Sequence, residues 1–207
     1  PILAHSIDAV RQNPQVQAVH VTLSADDHLF QDLLASHYTD VMPVNGGPSR
    51  AESVFLGLQH IARFDPACDW VLVHDAARPC LSSAALDRLL KQGGDSVHGG
   101  LLASPVVDTL KRSEDRSVIE TVDRSCLWAA QTPQFFPLQP LMEAIGNMLE
   151  QGLTPTDEAG AMEHAGYQPV LVEGDARNVK VTVAADLEFA EFILAQRHGP
   201  SGDSSDE

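Results

Sequence analysis

Two residues of complementary chemistry, Asp75 and Arg78, sit three apart in His74-Asp75-Ala76-Ala77-Arg78-Pro79, directly after the apolar run Trp70-Val71-Leu72-Val73. A carboxylate can hold a metal ion or a hydroxyl, and a guanidinium can hold an anion. In a chain that alternates strand-like and helix-like segments, the apolar run reads as a parallel strand buried on both faces. Pro79 forbids its continuation as a paired central strand. Open α/β sheets bind ligands beyond the carboxyl ends of their strands, which is where Asp75 and Arg78 are expected. The plainer alternative is a loop salt bridge between the two, worth little if exposed.

A second candidate is Asn45-Gly46-Gly47-Pro48-Ser49-Arg50. Its glycines permit close backbone approach, Ser49 can cap the following helix, and free N–H groups at a helix start can cradle a ligand. Glu52 and Ser53 fall in the first helical turn, within reach of a base or ribose. For a Gly-Gly pair alone, an ordinary strand-to-helix turn remains the simpler reading.

These residues need a scaffold. Periodicity predicts a helix ending at Asn13-Pro14, a strand at 16–23, a short helix to 34 and a strand at 39–44. A helix follows over 50–62, then the strand at 70–73, a helix from 82 to 91 and a buried strand at 99–103. Residues 106–112 and 117–124 are β-rich runs joined by a four-residue turn, a hairpin signal that breaks the α/β alternation. Because an isolated hairpin is marginal in water, this arm is expected to pack on a second subunit. A short strand at 127–130 leads into a loop at 131–137 anchored by Phe135 and Phe136. Helices at 138–151, from 156, and at 185–196, with a strand at 170–172, complete the fold. The expectation is one domain over 1–198, with the arm at about 106–123 and a disordered acidic tail at 199–207.

Composition narrows the function. The 207 residues carry 43% hydrophobic residues and a formal net charge of −16. A nucleic-acid binder would want the opposite sign, so a phosphate site here must be a local basic cluster. No apolar run approaches the ~20 residues of a membrane helix, and no secretory leader is seen. Three widely spaced cysteines without a CxxC pair fit free thiols in a reducing compartment. The nine histidines form no HxxxH or HExxH pair. No GxSxG elbow supports a hydrolase triad.

His74-Asp75-Ala76-Ala77-Arg78-Pro79, Asp108-Thr109, Val122-Asp123-Arg124, Thr132-Pro133-Gln134 and Asn178-Val179-Lys180-Val181-Thr182, in this order, resemble the 2-C-methyl-D-erythritol 4-phosphate cytidylyltransferase family from the start of the chain to about residue 195. The resemblance implies a Rossmann-like α/β nucleotidyltransferase sheet flanked by helices, whose protruding β-hairpin arm hooks a partner in a homodimer. It implies CTP and methylerythritol phosphate as substrates, Mg²⁺ as cofactor, and a bacterial cytoplasmic enzyme of isoprenoid synthesis, with a plastid origin left open. No nucleic-acid or membrane partner is implied.

By the same resemblance, Gly47, Ser53 and Ala76 meet the nucleotide. Asp75 sits beside the metal and the acceptor, and Arg78 faces the acceptor. Lys180 neutralises charge at the α-phosphorus, and Thr132 contacts the acceptor. Thr109 and Arg124 bind the acceptor phosphate across the dimer. Without the family, Thr109 reads as an ordinary strand threonine and Arg124 as a partner of Asp123.

Two departures stand out. The family's opening strand and Gly-rich CTP loop have no counterpart, so a central sheet position is expected to lack its strand and transfer to be poor. Pro48 replaces an acidic residue common in the family. The alternatives are a sister enzyme using a pentitol phosphate such as ribitol 5-phosphate, or an inactive dimeric fragment.

Overall fold

The computed structural model describes residues 1–197, so the expected tail at 199–207 lies outside the described residues. The chain runs α1 (Ile2–Arg11), β1 (Val19–Leu23), α2 (Leu29–Leu33), β2 (Val41–Asn45), α3 (Arg50–Phe64), β3 (Trp70–Val73) and α4 (Ser83–Gly94). It continues with β4 (Gly100–Pro105), β5 (Leu110–Glu114), β6 (Ser117–Val122), β7 (Trp128–Pro137), α5 (Leu138–Glu150), α6 (Glu158–His164), β8 (Val170–Glu173) and α7 (Ala184–Arg197). This is the α/β alternation read from periodicity, interrupted by a hairpin at β5–β6.

The strands form three groups. β1 pairs β2 in parallel, from Val19 opposite Val41 to Leu23 opposite Asn45. The main sheet has the order β3-β7-β4-β8. β8 lies parallel to β4, and β7 runs antiparallel to both β3 and β4. β1 and β3 do not pair, and a gap of about 720 Å³ separates them, bordered by Val19–Thr22 on one side and Trp70–Val73 on the other, at the central sheet position expected to lack its strand.

Apolar side chains fill both faces of the sheet. Leu58 of α3, Leu141 and Ile145 of α5, and Met162 of α6 pack with Val71 and Phe136 on one face. Leu86 and Leu89 of α4 pack with Leu102 and Val172 on the other. Each such side chain, fully buried, contributes about 1.5–3 kcal/mol.

Three local expectations are corrected. β3 is not a parallel strand buried on both faces. Its partner is the antiparallel β7, because the chain leaving β4 through the arm returns reversed and inserts between β4 and β3. Residues 131–137 are not a loop but the last seven residues of β7. Pro133 fits because the β4–β7 register shifts there, between the Leu101–Gln134 and Ala103–Ala130 pairs, where no ladder hydrogen bond is required of it. The arm's turn has two residues rather than four. Asp115 and Arg116 both take positive φ, 47° and 64°, as tight hairpin loops require.

Candidate active site

The Asp75 loop leaves the carboxyl end of β3 and is fixed by its neighbours on three sides. The Asp75 N–H donates to Thr132 Oγ1 at 2.9 Å. His74 closes the loop, with Nε2 3.0 Å from the Arg78 carbonyl and Nδ1 3.1 Å from Thr132 Oγ1. A carbonyl only accepts, so Nε2 carries the proton and Nδ1 accepts the Thr132 hydroxyl. Desolvation of the ring pushes the His74 pKa down to about 4, which keeps this neutral tautomer. Beyond the loop, Val181 N–H donates to the Ala77 carbonyl at 2.8 Å, and Arg78 Nη1 donates to the Asn178 carbonyl at 2.7 Å. Asn178, itself buried, donates to the Thr132 carbonyl at 2.8 Å. These bonds bring Lys180 beside Asp75 across 105 positions of sequence.

The result is one carboxylate among three cations. Lys180 Nζ lies 2.8 Å from Asp75 Oδ2, Arg50 Nε 2.9 Å from Oδ1, and Arg78 Nε 3.9 Å from Oδ2. The Asp75–Arg78 pair is therefore the weakest of the three. Burial pushes the Asp75 carboxyl up, but the bonds from Lys180 and Arg50 outweigh it and hold Asp75 below its ordinary range. Arg50 also forks onto Glu158, with Nη1–Oε1 at 2.7 Å and Nη2–Oε2 at 3.1 Å. Burial opposes the Arg50 charge, yet these two carboxylates raise its pKa above the ordinary value. Three cations against two carboxylates leave a net charge of +1 here, the local basic cluster that a chain of −16 needs if it is to take phosphate.

Arg50, Ser53, Asp75, Ala76 and Lys180 all border the gap between β1 and β3, which is a sheet position and not by itself a ligand pocket. Gly47 stands just behind Ser53, and the two are bonded to each other. Gly47 N–H donates to Ser53 Oγ at 3.0 Å, and that hydroxyl donates to the Gly47 carbonyl at 3.2 Å. Gly46 N–H donates to the Leu23 carbonyl at 2.7 Å. The N–H groups expected to cradle a ligand therefore close the turn. A Cβ on Gly47 would sit 2.6 Å from Glu52 Cβ, so only glycine fits. Ser49 caps α3 through the Glu52 N–H.

Thr132 is buried, with its hydroxyl engaged by the Asp75 loop. Thr109 and Arg124 are exposed beside the hairpin, apart from the lining of that gap. Asp123 bonds Ser125 rather than Arg124.

Sequence reasoning missed Arg50, Glu158 and Gln134. Arg50 did leave a signal, since a cation in the first turn opposes the helix dipole and asks for a nearby anion. Glu158, an acid in a first turn, looks like ordinary dipole compensation. Gln134 looks like a polar residue in a proline-flanked loop. Among the described residues no group of three or more His, Cys, Asp or Glu could hold a metal. Asp75, with two oxygens that each take one cationic donor, retains lone pairs and is the one carboxylate of the cluster that borders the gap.

A carboxylate and a basic cluster beyond a strand's carboxyl end of an α/β sheet form a place where an anionic ligand can bind, and the solved structures that this chain resembles have nucleotidyltransferase folds. A 4-diphosphocytidyl-2C-methyl-D-erythritol synthase structure superposes with a TM-score of 0.85 at 40% identity, covering 93% of this chain and 90% of that one. The Francisella tularensis 2-C-methyl-D-erythritol 4-phosphate cytidylyltransferase structure gives 0.83 at 33%, covering 93% and 88%. The enzyme of the same name from Salmonella paratyphi C is 47% identical over 197 residues, 94% of this chain and 82% of the relative. The family model for 2-C-methyl-D-erythritol 4-phosphate cytidylyltransferase matches residues 1–196, and the chain belongs to that family. The pentitol and inactive-fragment alternatives are not favoured.

Proposed function

We propose that this protein transfers the cytidylyl group of CTP to 2-C-methyl-D-erythritol 4-phosphate, giving 4-diphosphocytidyl-2-C-methyl-D-erythritol and pyrophosphate. The observation that carries this reading is the family match over residues 1–196. The Asp75–Lys180–Arg50–Arg78 cluster supplies the charge such a transfer needs.

A phosphate oxygen of the acceptor attacks the α-phosphorus of CTP, and pyrophosphate departs. Phosphoryl transfer asks for positioning and charge stabilisation more than for covalent help. Lys180 is partly exposed and held by one ion pair to Asp75, so it can turn to the α-phosphate oxygens as their charge grows. Arg78, held by the Asn178 carbonyl, adds positive charge beside Asp75 for an anionic acceptor. Ser53, Gly47 and Ala76 bound the nucleotide side. Thr132, with its hydroxyl spent on the loop, acts on the acceptor by holding Asp75 in place.

Mg²⁺ fits as an ion carried by the CTP phosphates with Asp75 as its protein contact, since Mg²⁺ commonly takes one or two carboxylates plus substrate oxygens. When bound it offsets phosphate charge. The arm exposes Leu110, Val118 and Ile119, apolar surface that a twofold partner would cover, with Thr109 and Arg124 then reaching the partner's acceptor site. The bacterial relatives and free thiols support a bacterial cytoplasmic setting. No described helix is long and apolar enough to cross a membrane.

Pyrophosphate release from CTP, methylerythritol phosphate and Mg²⁺ tests the reading. Release that depends on both substrates, even at the low rate expected of this chain, supports it, and release without the acceptor, or none at high enzyme concentration, overturns it.

A further inference from the structure

Glu158 is nearly fully buried, with a side chain 2% exposed. A buried carboxylate is costly unless paired, and a buried ion pair is often no more stabilising than apolar packing. Stability alone therefore gives little reason for Glu158. Its geometry gives a better one. Glu158 takes both terminal nitrogens of Arg50, at 2.7 and 3.1 Å, leaving Nε for Asp75 at 2.9 Å. All three nitrogens of the guanidinium are thus committed to two carboxylates.

Glu158 is itself held. Gln134, buried in β7, donates to Asp157 Oδ2 at 2.9 Å and accepts the Ala159 N–H at 2.7 Å. These bonds grip the start of α6 on either side of Glu158. Asp157 caps the same helix through the Gly160 N–H at 2.8 Å. Two positions earlier on the same strand, Thr132 takes the Asp75 N–H. β7 therefore fixes Asp75 twice, at its backbone through Thr132 and at its carboxylate through Gln134, Glu158 and Arg50.

Lys180 differs. It is 44% exposed and makes one ion pair, to the other oxygen of Asp75. The geometry points to a division of labour in which Glu158 is a positioning residue that locks Arg50 onto Asp75, so that the carboxylate stays in place when Lys180 leaves it for the nucleotide phosphates. This inference rests on the cytidylyl-transfer reading for its kinetic consequence, but not for its structural one.

Glu158→Gln keeps the shape and removes the charge. Two readouts separate the claims. The first is hydrogen exchange of the Arg50 Nε–H by NMR without substrate, expected to quicken by roughly tenfold or more in the variant. The second is steady-state transfer, where kcat is expected to fall roughly ten- to a hundredfold while KM for CTP stays within about threefold. Unchanged exchange with unchanged kcat, or an effect confined to KM, overturns the proposal. A wild-type protein without turnover would sink the transfer reading, while the exchange measurement still decides whether Glu158 locks Arg50. If Glu158→Gln does not fold, Arg50→Lys decides. It keeps the charge but loses the planar fork that sets two nitrogens on Glu158 and the third on Asp75, so a kcat loss of the same size supports the proposal and full kcat overturns it.

Discussion

Lys180 Nζ sits 2.8 Å from Asp75 Oδ2, on a carboxylate whose other oxygen is held by Arg50 at 2.9 Å. Asp75 thus holds the lysine beside the site, and the lysine, with one ion pair, is less constrained than Arg50, with three bonds to two carboxylates. Lys180→Ala is expected to lower kcat about a hundred- to a thousandfold, the size of losing one preorganised charge-stabilising donor. Melting temperature and oligomeric state should stay near wild type, because the side chain is 44% exposed. A rate within a few-fold of wild type would remove Lys180 from the chemistry.

Thr132→Val keeps the side-chain shape and deletes the hydroxyl that joins Asp75 to His74. The Asp75 N–H is then left without its partner, at a cost of about 1–3 kcal/mol. Denaturant unfolding should show that loss, and kcat should fall with it as the loop loosens. A variant as stable and active as wild type would show that the loop is held elsewhere.

Acid should act through His74. Its unfolded-state pKa is the ordinary 6.5, while desolvation puts it at about 4 in the folded protein. Between those values the unfolded chain binds the proton and the folded chain does not, so stability falls as pH drops through that window and the loss is complete below it. His74→Gln, measured by unfolding at a series of pH values, should flatten the slope between pH 6.5 and 4. An unchanged slope would assign it to other groups.

Arg124→Ala is expected to raise KM for methylerythritol phosphate roughly ten- to a hundredfold, the worth of a charge-assisted hydrogen bond, with a smaller effect on CTP. A loss confined to CTP would contradict the placing of Arg124 at the acceptor.

The proposed arm-mediated dimer is tested by Ile119→Asp, on the exposed face of β6: the wild-type protein is expected to sediment as a dimer and the variant as a monomer with its fold by circular dichroism kept. A dimer that survives this charge would place the interface away from the arm.

The periodic parts of the chain were legible because local physics decides them. Leu3, Ile7 and Val10 mark one face of α1, and Ser82 with Leu86 and Leu89 mark the start and buried face of α4. Strand direction was not legible from Trp70–Val73, since an apolar run is silent on whether its neighbour runs up or down. The strand at 131–137 was hidden by Pro133, which a tertiary register shift accommodates, and by Pro137, which ends β7 opposite Trp70. Asp75, Arg78 and Lys180 were visible as motif residues. Their meeting was legible only through the family resemblance, because in physical terms it depends on the buried Asn178 and on the Val181–Ala77 bond. Arg50 and Glu158 make sense only together, across 108 positions of sequence.

The most direct test is pyrophosphate release from CTP with Mg²⁺, on a sample of recorded intact mass, comparing methylerythritol phosphate with ribitol 5-phosphate as acceptors. Release with methylerythritol phosphate, and kcat/KM at least roughly a hundredfold below it for ribitol 5-phosphate, is the expected result. No release with methylerythritol phosphate, or preference for the pentitol, would contradict the assignment.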